Sequence, residues 1–340
     1  MVTLEEGRGT GLPFLPTAPQ RFPAVEFNGS TRPYRYQRQG VRQIERFDGR
    51  ALLADSMGLG KAQPLDAKVL TPTGWVRMGD IRVGDAVVGS DGKTHHVTGV
   101  FPQGIKEVFR VTFRDGSSTE CCEEHLWAVR SALDRMWNFR PKVKALKDIK
   151  DRLRQKNGNC NYYIDVVQPV QFEKQNVPLD PYVLGALLGD GSISGANVLF
   201  TSADHQLAKM VRQGLGPKML LLHRRSQGAA ETYGIINRDQ SGWKPNPVVR
   251  ALRDLDLMGR DSGSKFIPDI YLHNDTATRI AVLQGLLDTD GYVSKTGTVQ
   301  YSTVSKRLAA GVRELVWSLG GTCTHNRAKK TFTYKGEKKT

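Results

Sequence analysis

Two textures divide the chain. From Ala62 to about Val129, short apolar runs alternate with Gly, Asp-Gly and Pro-x-Gly turns. The runs at 69–70, 75–76, 86–88, 96–100, 108–113 and 126–129 predict closely spaced strands and an all-β unit. Further along, "VLGALLGDG" (183–191) and "LQGLLDTDG" (283–291) are apolar stretches of helical length, each ending in Asp-Gly. Segments 197–204, 220–236 and 291–305 alternate apolar and polar positions and predict antiparallel strands. Tyr301–Gly321 predicts a strand and then an amphipathic helix. Before Ala62, residues 1–30 are rich in Gly and Pro and predict loop. "RPYRYQRQGVRQIERF" then predicts a basic amphipathic helix with Tyr36, Gly40, Val41, Ile44 and Phe47 on its apolar side. "RALLAD" predicts a strand and "SMGLGK" the turn after it.

Composition narrows the class. Hydrophobic content of 39% in 340 residues suits a globular chain of two or three domains. A net charge of +15 points to a polyanionic partner, most simply nucleic acid, against the alternative of a basic surface on a soluble protein. Four cysteines, two of them adjacent (Cys121 and Cys122), make no disulfide framework and fit a reducing compartment. The acidic, proline-containing start is no signal peptide, and no run is long enough for a membrane span. The expected location is cytoplasmic and nucleoid-associated.

Candidate chemistry begins at "LLADSMGLGK". A strand, a Gly-rich turn and a Lys cradle phosphate through backbone N–H groups. Yet Ala62 follows Lys61, where a Mg²⁺-binding Ser or Thr is usual. With "YQRQGV" some twenty residues upstream, residues 33–61 resemble the opening of the Swi/Snf-type helicase-like ATPases. That resemblance implies adenine contact by Gln37 and phosphate contact by Gly58, Gly60 and Lys61, with ATP as cofactor only of a complete helicase.

From Ala62 the sequence resembles the N-terminal half of an intein, a self-splicing insert of the Hint fold. "AKVLTPTGWVRMGDIRVGD" is similar to the family's first block and "DGSSTECCEEHLWAV" to its second. The resemblance implies that His125 protonates the leaving amide at the Lys61–Ala62 bond. Ala62 is no nucleophile. With Cys122 and Trp127 at their places in the second block, the chain resembles the intein class in which an internal Cys attacks the upstream junction. Cys121, Cys122, His125 and Cys160 also allow a zinc reading, and Cys121 a plain core role. The basic stretch Leu133–Lys156, which holds Trp137 and Phe139, reads equally as a phosphate track or a solvated linker face.

The two Asp-Gly segments start 100 positions apart, at Val183 and Leu283, and form an internal repeat. They resemble the signature of monomeric LAGLIDADG homing endonucleases over about residues 178–340. Gly185 and Gly285 permit backbone-to-backbone packing. Asp190 and Asp290 then converge as catalytic carboxylates and Mg²⁺ ligands. Lys265, in "SGSKFIPDIYL", matches the family's Lys before Ile-Pro. It is expected to orient water or offset phosphate charge, with a surface lysine as the alternative. The implied partner is double-stranded DNA, bound by a pseudo-symmetric monomer. His273-Asn274 and His325-Asn326 lack the nucleophile that should follow an intein's terminal Asn. The chain therefore reads as C-terminally incomplete, with a separate C-terminal intein or helicase chain as a possible partner.

The expected architecture is multidomain. A helicase fragment (1–61) precedes an all-β Hint-type splicing domain (62–165) and an α+β LAGLIDADG endonuclease domain (166–340). The expected function is an intein-containing helicase-like protein that carries a site-specific DNA endonuclease. The rivals are an ATP-dependent helicase fragment with a structural insert and a DNA-binding protein on a degenerate endonuclease fold.

Overall fold

A computed structural model describes residues 2–6, 63–102, 104–238, 246–326, 332–334 and 337–339. The helix, strand and phosphate loop expected over 32–61, with Gln37, Gly58, Gly60, Lys61 and also Ala62, lie outside the described residues. Two compact units emerge, Met1–Asp165 with Thr324–Thr340, and Val166–Cys323.

The first unit is β-rich. β1 (Val2–Glu6), β4 (Ala86–Val88) and β5 (Thr94–Val100) make a three-stranded sheet of order β1-β5-β4. The remaining pairs are two-stranded and antiparallel. They join β2 (Lys68–Thr71) to β3 (Gly74–Arg77), β6 (Phe109–Thr112) to β7 (Ser118–Cys121), and β8 (Leu126–Val129) to β9 (Lys142–Ala145). The turn between β6 and β7 needs Gly116, whose φ is 85°. Apolar positions on these short strands close two small cores. Ile81, Val87 and Val97 form one, and Cys121, Val129, Leu146 and Ile149 the other. Leu133–Lys156 is folded and not a linker. It contains α1 (Ala132–Met136), β9 and α2 (Leu146–Ile149), because Ala145, Leu146 and Ile149 are apolar enough to be buried there.

The second unit is built around two helices packed on each other. α3 (Pro181–Asp190) starts at Asp180, whose carboxylate accepts from Val183 N at 3.0 Å, with Pro181 at the first helical position. α7 (Thr276–Asp290) starts in the same way at Asp275, which accepts from Thr278 N at 3.0 Å. Between them lie β10 (Gly191–Ser192), β11 (Leu199–Ser202), α4 (His205–Leu215), β12 (Met219–Gln227), β13 (Ala230–Asn237), α5 (Pro247–Asp254) and α6 (Asp269–Leu272). The four strands form an antiparallel sheet of order β10-β11-β13-β12. After α7 come β14 (Gly291–Val293), β15 (Val299–Tyr301) and α8 (Lys306–Ser318). Each long helix thus runs directly into a strand, then into a hairpin partner, then into an amphipathic helix, as the repeat predicts. One contiguous core joins Leu184, Leu187, Phe200, Leu252, Leu286 and Leu315.

A cation also lies in this core. Arg279, fully buried on α7, donates to Asn274 O at 2.9 Å, to Ser318 O and Oγ at 2.8 and 2.7 Å, and to Val170 O. These bonds tie the segment that enters the unit to α7 and α8. Among the described residues no helix is long and apolar enough to cross a membrane.

Candidate active site

The packing of α3 on α7 is set by what is missing from both. A methyl group built on Gly185 would overlap Val282 O and lie 3.0 Å from both Gly285 Cα and Leu286 N. One on Gly285 would overlap Tyr182 O and lie 2.7 Å from Ala186 N. Backbone therefore meets backbone along this seam. One turn further on, a methyl on Gly189 would overlap the Thr289 hydroxyl, which donates to Gly285 O at 2.9 Å. At the seam's end both helices stop at an Asp-Gly pair. Gly191 and Gly291 are extended (φ −83° and −85°), so no left-handed turn demands glycine. Close approach does, since a side chain on either would overlap the carbonyl of Leu187 or Leu287.

This geometry brings Asp190 and Asp290 together. The position a Gly189 methyl would take lies 3.4 Å from Asp290 Oδ2. Burial pushes the Asp190 carboxyl up to about 6, Asp290 adds to the rise, and Lys265 opposes it. Asp290 is raised as well, by burial and against the pull of Lys265. A raised carboxyl pKa means that the folded state holds the proton more tightly than the unfolded chain. The cost of ionisation is therefore fully present above pH 6 and fades as pH falls from 6 toward 3.8. A rise of this size represents ~3 kcal/mol, which solvent screening at a half-buried site reduces to about 1. Asp190→Asn is expected to raise the thermal midpoint of the metal-free protein at pH 7.5, with the gain vanishing below pH 4. Melting curves across pH check this, and an unchanged midpoint at pH 7.5 contradicts it.

Lys265 is 3% exposed, which overturns the surface-lysine alternative. Its Nζ shares three N–H donors among four main-chain carbonyls at the end of α3: Leu187 and Leu188 at 2.9 Å, Gly189 at 3.1 Å and Gly191 at 2.7 Å. A helix leaves its last carbonyls without partners and gathers negative charge there, and this ammonium answers both. Burial pulls Lys265 down to about 8, while Asp290 and Asp190 act in the other direction. Lys265 O in turn accepts from Ser305 Oγ at 2.6 Å, and that hydroxyl caps α8 by accepting from Leu308 N at 3.1 Å. Lys265→Met keeps the length and strands the carbonyls. It is expected to cost ~2–3 kcal/mol in urea unfolding, and a loss under ~0.5 kcal/mol would show that the cap is dispensable.

The sequence did not single out two tyrosines here. Tyr182 donates to Asp288 Oδ2 at 2.9 Å. The Tyr301 hydroxyl is buried, and burial followed by the nearby Asp290 charge pushes it upward. Neither belongs to a charged or Gly-marked pattern, so only the fold could place them.

The first unit places Cys122 and His125 on the turn between β7 and β8, and Trp127 on β8. His125 N donates to Cys122 O at 3.1 Å, and the His125 and Trp127 rings meet edge-on with centroids 5.1 Å apart. Cys121 is a core residue, and burial pushes its thiol up to about 11. The zinc alternative gains nothing, since no group of three or more His, Cys, Asp or Glu is placed to hold a metal among the described residues.

Residues 277–337 match the LAGLIDADG-like domain. This C-terminal region is thus a LAGLIDADG-like domain, and the match takes in most of α7 with Asp290. Over 289 residues, 80% of this chain, the sequence is 29% identical to the replicative DNA helicase DnaB of Mycobacterium intracellulare and covers 45% of that protein. It is 23% identical over 150 residues, 42% of this chain, to a DNA gyrase subunit of Mycobacterium kansasii, covering 26% of it. It is 27% identical over 167 residues, again 42% of this chain, to the homothallic switching endonuclease of Saccharomyces cerevisiae, covering 27% of it. The chain spans less than half the length of each of these relatives.

Proposed function

We propose that the second unit is a metal-dependent endonuclease that cuts both strands of duplex DNA, carried within an intein that interrupts a helicase-like protein. The observation that carries the cleavage reading is the paired carboxylates, Asp190 and Asp290, held at the ends of two glycine-packed helices. Two half-buried, mutually repelling carboxylates are hard oxygen donors with charge to spare, a set that suits Mg²⁺ completed by water and phosphate. Bound there, Mg²⁺ supplies water activation and charge neutralisation at the scissile phosphate. Asp190 and Asp290 would hold the ion and would each accept a hydrogen bond from the attacking water. Lys265 fixes the end of α3 and so the position of Asp190. Strands β10–β15 offer the surface for the major groove.

Relatives named for three unlike tasks, a helicase, a switching endonuclease and a gyrase, support a shared mobile insert over a shared host activity. In the splicing reading, His125 protonates the amide leaving at Lys61–Ala62, Trp127 supports an internal Cys that attacks that junction, and Cys122 stands at the usual Thr place of the second block. The Swi/Snf-type host, the Hint fold of the first unit and a cytoplasmic, nucleoid-associated location belong to the same proposal. So does duplex cleavage by a monomer.

A plasmid bearing the phosphate-loop codons without the insert, incubated with the protein and Mg²⁺, is expected to become linear. A plasmid with the insert should remain circular. Equal treatment of both, or no linear product, overturns the proposal.

A further inference from the structure

The first unit carries an apolar surface that its own folding does not explain. α1 is short and held at every side. Ser131 Oγ accepts from Asp134 N at 3.1 Å, and Asp134 Oδ2 accepts from Ser131 N at 2.9 Å. Lys142 Nζ donates to Asp134 Oδ1 at 2.9 Å. The helix ends on Asn138 in the left-handed region (φ 51°), and Arg130 donates to the Asn138 side chain at 3.2 Å. Asn138 N bonds Arg135 O at 3.3 Å and Phe139 N bonds Asp134 O at 2.8 Å, the bond pair of a Schellman cap. Such a cap commonly seats the residue after the left-handed one on an apolar residue one turn back. Here that earlier residue is Asp134, and Phe139 stays 57% exposed. Trp137, beside it, is 66% exposed. Leu133, Met136 and Val143 are exposed as well.

A loop this firmly tied fixes the backbone from which two aromatic rings stand in water. Large exposed apolar groups on a rigid frame mark a contact surface. Its surroundings select the partner. Between Arg130 and Lys156 ten Lys and Arg stand against three acids. Among the described residues, Arg140, Lys147, Arg152 and Lys156 have no ion-pair partner. A basic surface that presents bare aromatic faces suits a polyanion with free π-faces of its own. Paired bases in a duplex stack on one another and offer none, whereas unpaired bases do.

We propose that the 133–147 surface of the first unit binds single-stranded nucleic acid, with Trp137 and Phe139 as stacking platforms and Arg140 and Lys147 on the phosphates. This contact is separate from the duplex site proposed for the second unit.

The test uses the full chain in EDTA with a fluorescent 20-nucleotide oligo-dT and, separately, a 20-base-pair duplex. Trp137→Ala/Phe139→Ala is expected to weaken oligo-dT binding ~10-fold or more and to leave duplex binding and thermal unfolding unchanged. Arg140→Glu/Lys147→Glu is expected to weaken oligo-dT binding and to flatten its salt dependence by about one ion. Wild-type affinity for oligo-dT in the aromatic variant overturns the proposal. So does an equal loss on duplex, or a change in sedimentation showing that the patch joins protein chains.

Discussion

Asp190→Asn and Asp290→Asn are each expected to lower double-strand cleavage ~100- to 1,000-fold, while duplex binding in the absence of metal holds or improves. The size follows from the position of the change. Removing one preorganised charged group from the centre of a phosphoryl-transfer site commonly costs about 3–4 kcal/mol of barrier. Two carboxylates at one seam, with the Asp290 charge raising Asp190, act as one unit, so the double variant should lose little more than either single one. Each Asn removes a repelling negative charge next to the DNA backbone, which is why binding does not suffer. Rates of linear and nicked product with each variant, together with anisotropy in EDTA, check both halves. Cleavage retained within ~10-fold by either variant removes that carboxylate from the mechanism.

Gly185→Val is expected to unfold the second unit at 37 °C, a destabilisation of ~4 kcal/mol or more. A single Cβ already overlaps Val282 O, and that atom belongs to a helix backbone that cannot turn aside as a side chain would. Gly285→Val meets Tyr182 O in the same way. Gly195→Val is the control, because nothing lies within 4 Å of a methyl built there. Denaturant curves followed by circular dichroism distinguish the three. A stable, cooperative Gly185→Val protein would mean that α3 and α7 do not meet as described.

Much of this fold is legible from periodicity. The strands at 69–70, 86–88 and 126–129 and the two helices ending in Asp-Gly were visible because each is a local pattern with its own turn or cap. The pairing of Asp190 with Asp290 was visible because a repeat brings its own symmetry. Other features answer to contacts distant in sequence. In sequence Lys265 reads as a site lysine or a surface one, and its cap on the end of α3 shows only when that helix, some 75 positions earlier, supplies four carbonyls to its ammonium. Arg279 sits beside an apolar helical run, and two of the partners that allow its burial, Val170 and Ser318, are distant in sequence. Leu133–Lys156 is so rich in charge that its three buried apolar residues, Ala145, Leu146 and Ile149, do not stand out against it.

At the α3–α7 seam the spacer between the two halves is main chain, with no side chain between. Main-chain dimensions do not drift as sequences change. The distance between the two carboxylates is therefore a fixed gauge, while the strands that extend from the helix ends are free to vary. In the endonuclease proposed above, that arrangement would let the address on the polymer be retuned without altering the stagger between the two incisions.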